Sequence, residues 1–331
     1  MTKPIHLSAN QPPERFYLGG PQIKAFRGQA SNSDRVPEDW VGSSTTLFGE
    51  TELGLSFLES GRTVASEIAA APELWLGPEH LKSFGADPML LVKLLDAGQR
   101  LPVHIHPNQS FAKKHLGCQH GKAEAWYILN GGVVYLGFKE TVSEDQLRVW
   151  VDSQDVSGML QAMHQIEVAP GDSIYVPPGC PHAIGAGVFL AEVQEPEDLS
   201  ILLEWDGFAI DGPNDGHLGL GFDLALRAIS SNGMSAEDLN RLVVRQGKEA
   251  STLSTDSAQY FRAERIDVSQ ERSLDAGFSI LIVLSGQGEL QSASATTSLA
   301  DGDTILIPYS AGQLSLSGEV SVLRCRPPMP N

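Results

Sequence analysis

The spacing of three histidines constrains this chain more than any other feature. In GQRLPVHIHP, Gly98 is followed after five residues by His104 and, one residue later, by His106. Side chains alternate along a strand with period two, so both imidazoles face the same side. GKAEAWYILNG follows, in which six residues lead from Glu124 to Gly131 and put a carboxylate on a strand that closes in a tight turn. A later segment, GDSIYVPPGCPH, has Gly171, Pro177, Gly179 and His182, which describe a strand, a rigid turn and a returning histidine. His104, His106, Glu124 and His182 together form a set that satisfies a borderline divalent metal and leaves positions open for a ligand.

These segments resemble the two motifs of the cupin superfamily, with one clear difference: 17 residues separate His106 from Glu124, more than a plain cupin has. LLVKLLDAGQRLPVHIHP, FAKKH, GKAEAWYIL, VYLGFKE, PGDSIYVPPGCPHAIG and LAEVQ, in that order, resemble the type I mannose-6-phosphate isomerases, particularly the short bacterial form. The likeness is good from Tyr17 to Asp206 and weak beyond. It implies a mainly β fold of two cupin-like jelly-roll barrels with short inserted and linking helices. The expected organisation is an N-terminal metal-binding cupin over 1–220, a helical linker over 221–256 and a degenerate C-terminal cupin over 257–331.

The resemblance also implies roles by position. Lys122 in GKAE, Glu192 in LAEVQ and Asp198 six residues on match catalytic or active-site polar residues of the family. Trp40 and Ser43, with Glu38, match a Glu-x-Trp-x-x-Ser segment beside the substrate, and Lys122 is expected to touch the substrate too. Three positions depart. His104 stands where the family commonly has Gln, Pro102 replaces a serine that helps hold phosphate, and Leu202 replaces an arginine credited in catalysis. Arg100 is the nearest cation in sequence that could compensate. One divalent ion is expected, zinc first, with iron, manganese, cobalt or nickel also compatible with the ligand types.

Composition narrows the partners. A net charge of −18 over 331 residues opposes nucleic acid or an anionic membrane surface as the main partner. No stretch has the length of an apolar membrane span, and MTKPIHLSANQPP lacks the apolar centre of a signal peptide. Three widely spaced cysteines, Cys118, Cys180 and Cys325, argue against a disulfide framework and for a reducing cytoplasm. The sequence leaves the oligomeric state undetermined.

Local patterns complete the reading. The N-terminal stretch to about Gln29 is expected to wrap the sheet before entering it. Leu90–Leu95, Gln165–Val168, Ser173–Val176 and Val188–Gln194 read as strands. Ala125–Leu129 and Val133–Gly137 flank Asn130-Gly131-Gly132 and read as a hairpin. Ser143 with Gln146 opens a short helix to Trp150, a second helical turn is expected near Ser157–His164, and Ser235–Gln246 reads as a helix. Gly302 to Pro308 repeats the Gly171 to Pro177 spacing, with Gln313 where the first motif has His182, so the tail reads as a second barrel without metal chemistry. His6, His80, His115, His120, His164 and His217 read as ordinary surface or core residues, and Cys180 as a small turn residue.

The leading function is a metal-dependent aldose–ketose isomerase acting on a sugar phosphate through an enediol, similar to mannose-6-phosphate isomerase. An isomerase of an unphosphorylated or modified sugar and a non-catalytic metal-containing sugar-binding cupin are the alternatives. A ferrous oxygenase, which the same ligands could support, is a third.

Overall fold

A computed structural model describes residues 3–28, 33–246 and 252–330. The chain is mainly β, in three antiparallel sheets with short helices between them. The first has six strands, ordered in space Val243–Val244, Ser173–Val176, Glu124–Asn130, Phe189–Gln194, Leu91–Asp96 and Glu38–Val41. Ile201–Leu202, His104–Ile105, His182–Ile184, Gly132–Phe138 and Met163–Val168 make the second, five-stranded sheet. The two share one apolar core: Val92, Leu94, Ile128 and Leu190 from the first meet Val134, Leu136, Ile166 and Ile184 from the second. The arrangement is that of a jelly roll, two facing sheets, and neither sheet closes on itself through hydrogen bonds among the described residues.

The third sheet has seven strands built mainly from Arg262–Val268, Ser279–Gln291, Thr304–Ile307 and Leu314–Arg326. Leu281, Val283, Leu290, Ile305, Leu316 and Val322 give it an apolar cluster of its own. The N-terminal stretch divides. Ile5–His6 pairs with Thr304–Ile307 and completes the C-terminal sheet, while the part that follows runs along the first sheet, where Asn10 O accepts from Trp40 N at 2.8 Å and Leu18 O from Gly98 N at 3.0 Å. Gln313 is exposed, and its side-chain amide donates to Ser273 Oγ at 2.6 Å.

The expected hairpin at Asn130-Gly131-Gly132 is also corrected. Both strands form, but Glu124–Asn130 pairs with Ser173–Val176 and Phe189–Gln194, whereas Gly132–Phe138 pairs with Met163–Val168 and His182–Ile184. The Asn-Gly-Gly segment carries the chain from one sheet to the other. Gly131 serves close approach there, since a Cβ on it would lie 2.3 Å from the Val168 carbonyl oxygen. Gly131→Ala is expected to destabilise the fold by about 1–3 kcal/mol, as overpacking does. Urea unfolding measures this, and an unchanged midpoint would contradict the close-approach account.

The helices follow their caps. Ser143 accepts from Gln146 N and starts Glu144–Ser153, which ends three residues beyond the Trp150 read from sequence. Asp155 caps Val156–Ala162. Ser235 and Asp238 form a capping box for Ala236–Leu242, after which Val243–Val244 leaves the helix as an edge strand on Ser173–Val176. The expected helix to Gln246 therefore stops early, because two β-branched residues meet an open sheet edge. Residues 247–251 of the expected linker lie outside the described residues.

Candidate metal centre

Strand register brings the motif histidines together. His104 stands directly opposite His182 on adjacent antiparallel strands, so both side chains leave the same face. His106 is two residues beyond His104 and returns to that face. Gly179, at φ +83°, turns the Pro177-Pro178 segment back, and its N–H donates to the His106 carbonyl at 2.7 Å. The 17-residue excursion is accounted for by a helix, Gln109–His115, capped by the Asn108 side chain. Its far end closes where Lys122 N donates to Pro107 O at 3.1 Å, which delivers Glu124 to the site from the opposite sheet.

All three imidazoles are buried, and one ring nitrogen from each lies within 4.8 Å of the others. Each Nδ1 faces a backbone carbonyl: His104 to Pro102 O at 2.8 Å, His106 to Leu199 O at 2.6 Å, His182 to Cys180 O at 2.9 Å. These contacts place the proton on Nδ1 and turn the bare Nε2 inward, the outer-partner arrangement of metal-binding histidines. The His182 Nε2 is buried with no hydrogen-bond partner. Burial keeps the rings neutral. It holds His182 down to about 3, and His106, with Lys122 adding repulsion, down to about 4. The His106 Nε2 accepts from Lys122 Nζ at 2.9 Å, whereas the bare His182 Nε2 stays chemically unsatisfied until a cation arrives. The residues therefore fit a single metal ion.

Glu124 joins two of the three. Its Oε2 lies 3.0 Å from His106 Nε2 and its Oε1 3.4 Å from His182 Nε2. Because both rings are neutral, these are close contacts of acceptors and not ion pairs. Oε2 also accepts from Lys122 Nζ at 2.7 Å and Oε1 from Trp126 Nε1 at 3.0 Å. Burial would raise the Glu124 carboxyl, but the Lys122 ammonium beside it outweighs burial and holds it well below its usual range.

A cavity opens beside this cluster, lined by His104, Glu124, Lys122, Glu192 and Asp198, with Glu38, Lys93, Arg15 and Tyr17. Three of the expected polar residues, Lys122, Glu192 and Asp198, thus share one space with His104. Trp40 and Ser43 do not line it. Trp40 is fully buried beneath Lys93, whose Nζ stands 4.4 Å from the ring centroid, and the Ser43 hydroxyl donates to Thr45 O at 2.9 Å. Their places behind the wall correct the expectation of substrate contact. Leu202 does line the cavity, opposite His104 in register. Arg100 does not replace the missing arginine: both its terminal nitrogens are committed to the Glu204 carboxylate, with Nη1 to Oε2 at 2.7 Å. His120, set aside from the sequence, pairs instead with Asp87 at 2.6 Å.

Sequence reasoning missed Lys93, Arg15 and Tyr17. Lys93 Nζ lies 3.6 Å from Glu192, 3.7 Å from Asp198 and 3.9 Å from Glu38. It is a lysine inside an apolar strand, LLVKLLD, with a side chain 1% exposed, and a charge in such a run was the available signal.

Comparison with known proteins agrees with this geometry. A family profile described as the cupin domain of mannose-6-phosphate isomerase matches residues 251–327, the region where the motif resemblance was weak. Mannose-6-phosphate isomerase ManA of Bacillus subtilis is 28% identical over 315 residues, covering 92% of this chain and 93% of that protein. The Streptococcus mutans mannose-6-phosphate isomerase is 27% identical over 333 residues, covering 98% of each. Over nearly its whole length the chain is similar to mannose-6-phosphate isomerases, and its C-terminal part matches their cupin domain. Its fold agrees with family members of known structure: that of the Bacillus subtilis mannose-6-phosphate isomerase superposes with TM-score 0.76 at 23% identity, over 98% of this chain and 100% of that one. The Salmonella typhimurium enzyme gives 0.74 at 16% identity, over 99% and 100%.

Proposed function

We propose that the chain is a metal-dependent aldose–ketose isomerase that moves a proton between C1 and C2 of a sugar phosphate, with mannose 6-phosphate and fructose 6-phosphate the pair its relatives' names carry. The observation that carries this reading is one cavity that reaches a cluster of three imidazoles through His104 and also holds an ammonium and a carboxylate of raised pKa. His104, His106, His182 and Glu124 would hold the ion, zinc being the first expectation. When bound, the ion supplies Lewis acidity to the sugar's carbonyl and hydroxyl oxygens.

The remaining chemistry falls to the chain's own groups. Burial would strip Lys122 of its proton, yet Glu124 and Glu192 outweigh it and hold the ammonium charged. Lys122 is therefore a donor to developing negative charge on the sugar oxygens and not the base. Glu192 is pushed up to about 7 by burial and by Glu124, against the pull of Lys122 and Lys93. A carboxyl poised there can both take and return a proton near neutrality, which shuttling through an enediol requires. Asp198, 3.7 Å from Lys93, positions that lysine against Glu192.

Metal-loaded protein incubated with mannose 6-phosphate and, separately, mannose should form ketose. No ketose from any aldose tested would overturn the isomerase reading. Leu202 on the cavity wall favours a second reading, isomerisation of an unphosphorylated or modified sugar, since an aliphatic side chain offers nothing to an anion. Ketose from mannose alone selects it. Sugar binding with no C2 exchange in heavy water selects the non-catalytic cupin.

The proposed division keeps 1–220 as the metal-binding unit, 221–256 as linker and 257–331 as a non-catalytic cupin. In support, the described residues that line the cavity end at Leu218. A cytoplasmic setting is consistent with Cys118, Cys180 and Cys325 all being free. Among the described residues no helix is long and apolar enough to cross a membrane.

A further inference from the structure

The cavity contains a guanidinium that its neighbours balance in charge but do not satisfy in hydrogen bonding. Arg15 enters from the segment before the first sheet, held by Arg15 N donating to Arg35 O at 3.0 Å and by Ala209 N donating to Phe16 O at 3.0 Å. Its side chain is 14% exposed, with Nε 3.2 Å from Glu38 Oε2 and Nη2 3.8 Å from Asp198 Oδ2. Yet Nε is buried without a hydrogen-bond partner. Glu38 is already occupied, since its Oε1 accepts from the Tyr17 hydroxyl and its Oε2 from Trp40 Nε1 at 2.9 Å. Arg100 in the same protein shows the contrast, with two nitrogens seated on one carboxylate.

The position of Arg15 indicates what it faces. A row of alternating charges leads away from the imidazoles: Lys122 is 2.9 Å from His106 Nε2, Glu192 is 3.9 Å from Lys122, Lys93 3.6 Å from Glu192, Asp198 3.7 Å from Lys93, and Arg15 3.8 Å from Asp198. Arg15 ends the row. A sugar whose C1 and C2 lie at the imidazoles extends its other end along that row. A guanidinium presents planar paired donors that match phosphate oxygens, and it keeps its charge throughout the working pH range.

We propose that Arg15 anchors the distal anionic group of the substrate, a phosphate ester at the end of the sugar remote from the reacting carbons. This rests on the sugar-isomerase reading of the cavity. Pro102 and Leu202 offer no side-chain donor for an anion, so Arg15 is the group that distinguishes a phosphorylated sugar from a neutral one.

Calorimetric titration of metal-loaded wild type, Arg15→Met and Arg15→Lys with mannose 6-phosphate and with mannose, each pre-equilibrated with enzyme to its aldose–ketose mixture, tests this by binding and not by rate. Wild type should prefer the phosphate ester. Arg15→Met should reduce the affinity ratio of ester to mannose by roughly 10- to 100-fold, the effect of losing charge-assisted bonds to one ligand group, and Arg15→Lys should retain part of the preference. An unchanged ratio in Arg15→Met, or no preference in wild type, overturns the assignment. If Arg15→Met fails to fold, the ratio in Arg15→Lys decides alone, and there an unchanged bidentate preference overturns it. Failure of the two readings is separable. Wild type that binds the ester selectively but isomerises neither sugar loses the isomerase function and keeps the anchor. Wild type and Arg15→Met that isomerise both sugars with equal KM values lose the anchor and keep the function.

Discussion

His182→Ala is expected to leave a folded protein that retains no stoichiometric metal and has no isomerase activity. His182 is fully buried, stands opposite His104 in register, and carries the Nε2 that no protein group satisfies. Alanine removes that ligand and leaves the three-histidine set incomplete. Loss of mere outer partners already weakens metal sites by roughly 10- to 100-fold, so loss of the ligand itself should exceed that. His106→Ala should behave alike. Elemental analysis after dialysis is the measurement, and full metal occupancy in both variants would remove the ligand assignment.

Glu192→Gln should keep the metal and lower kcat by roughly 10²- to 10⁴-fold, the range for a positioned general base. Its glutamine neighbour in shape cannot carry the proton. Wild-type kcat/KM should rise with pH through the Glu192 midpoint, which stands at about 7 for the chain's own groups and moves lower when a cation beside it favours the carboxylate. That limb should vanish in the variant. Stability should run the opposite way. Folding raises this carboxyl from 4.5 to about 7, so the native state holds the proton more tightly and loses stability as pH rises through that window. Glu192→Gln should then be at least as stable as wild type at pH 8. A variant that is both active and less stable would show Glu192 to be structural.

Lys122→Met gives a milder companion result. Metal should be retained while turnover falls, because the ammonium donates to Glu124 but is not one of the inward nitrogens. Full activity would make Lys122 a bystander.

The metal cluster was legible in the chain because strand alternation makes spacing a statement about direction: His104 and His106 had to share a face, and the Pro-Gly turn had to return His182. The mainly β class followed from the same runs. Other readings failed where a local signal had two tertiary outcomes. Asn130-Gly131-Gly132 turns the chain either into a hairpin or across to a facing sheet, and the two acceptor edges, not the turn, chose the crossing. Trp40 lies on the strand Glu38–Val41 next to Lys93, yet the wall's depth put Lys93 between Trp40 and the cavity.

What the sequence by itself determined is the common facing of His104 and His106 and the turn that precedes His182, since each depends on distances along one strand or one turn. What only the tertiary structure decided is the company those donors keep. Arg15, Lys93 and Asp198 come from segments far apart in the chain, and no spacing rule relates them. Their meeting is set by sheet order and core packing, and with it the Glu192 proton affinity and the row of charge that ends at Arg15.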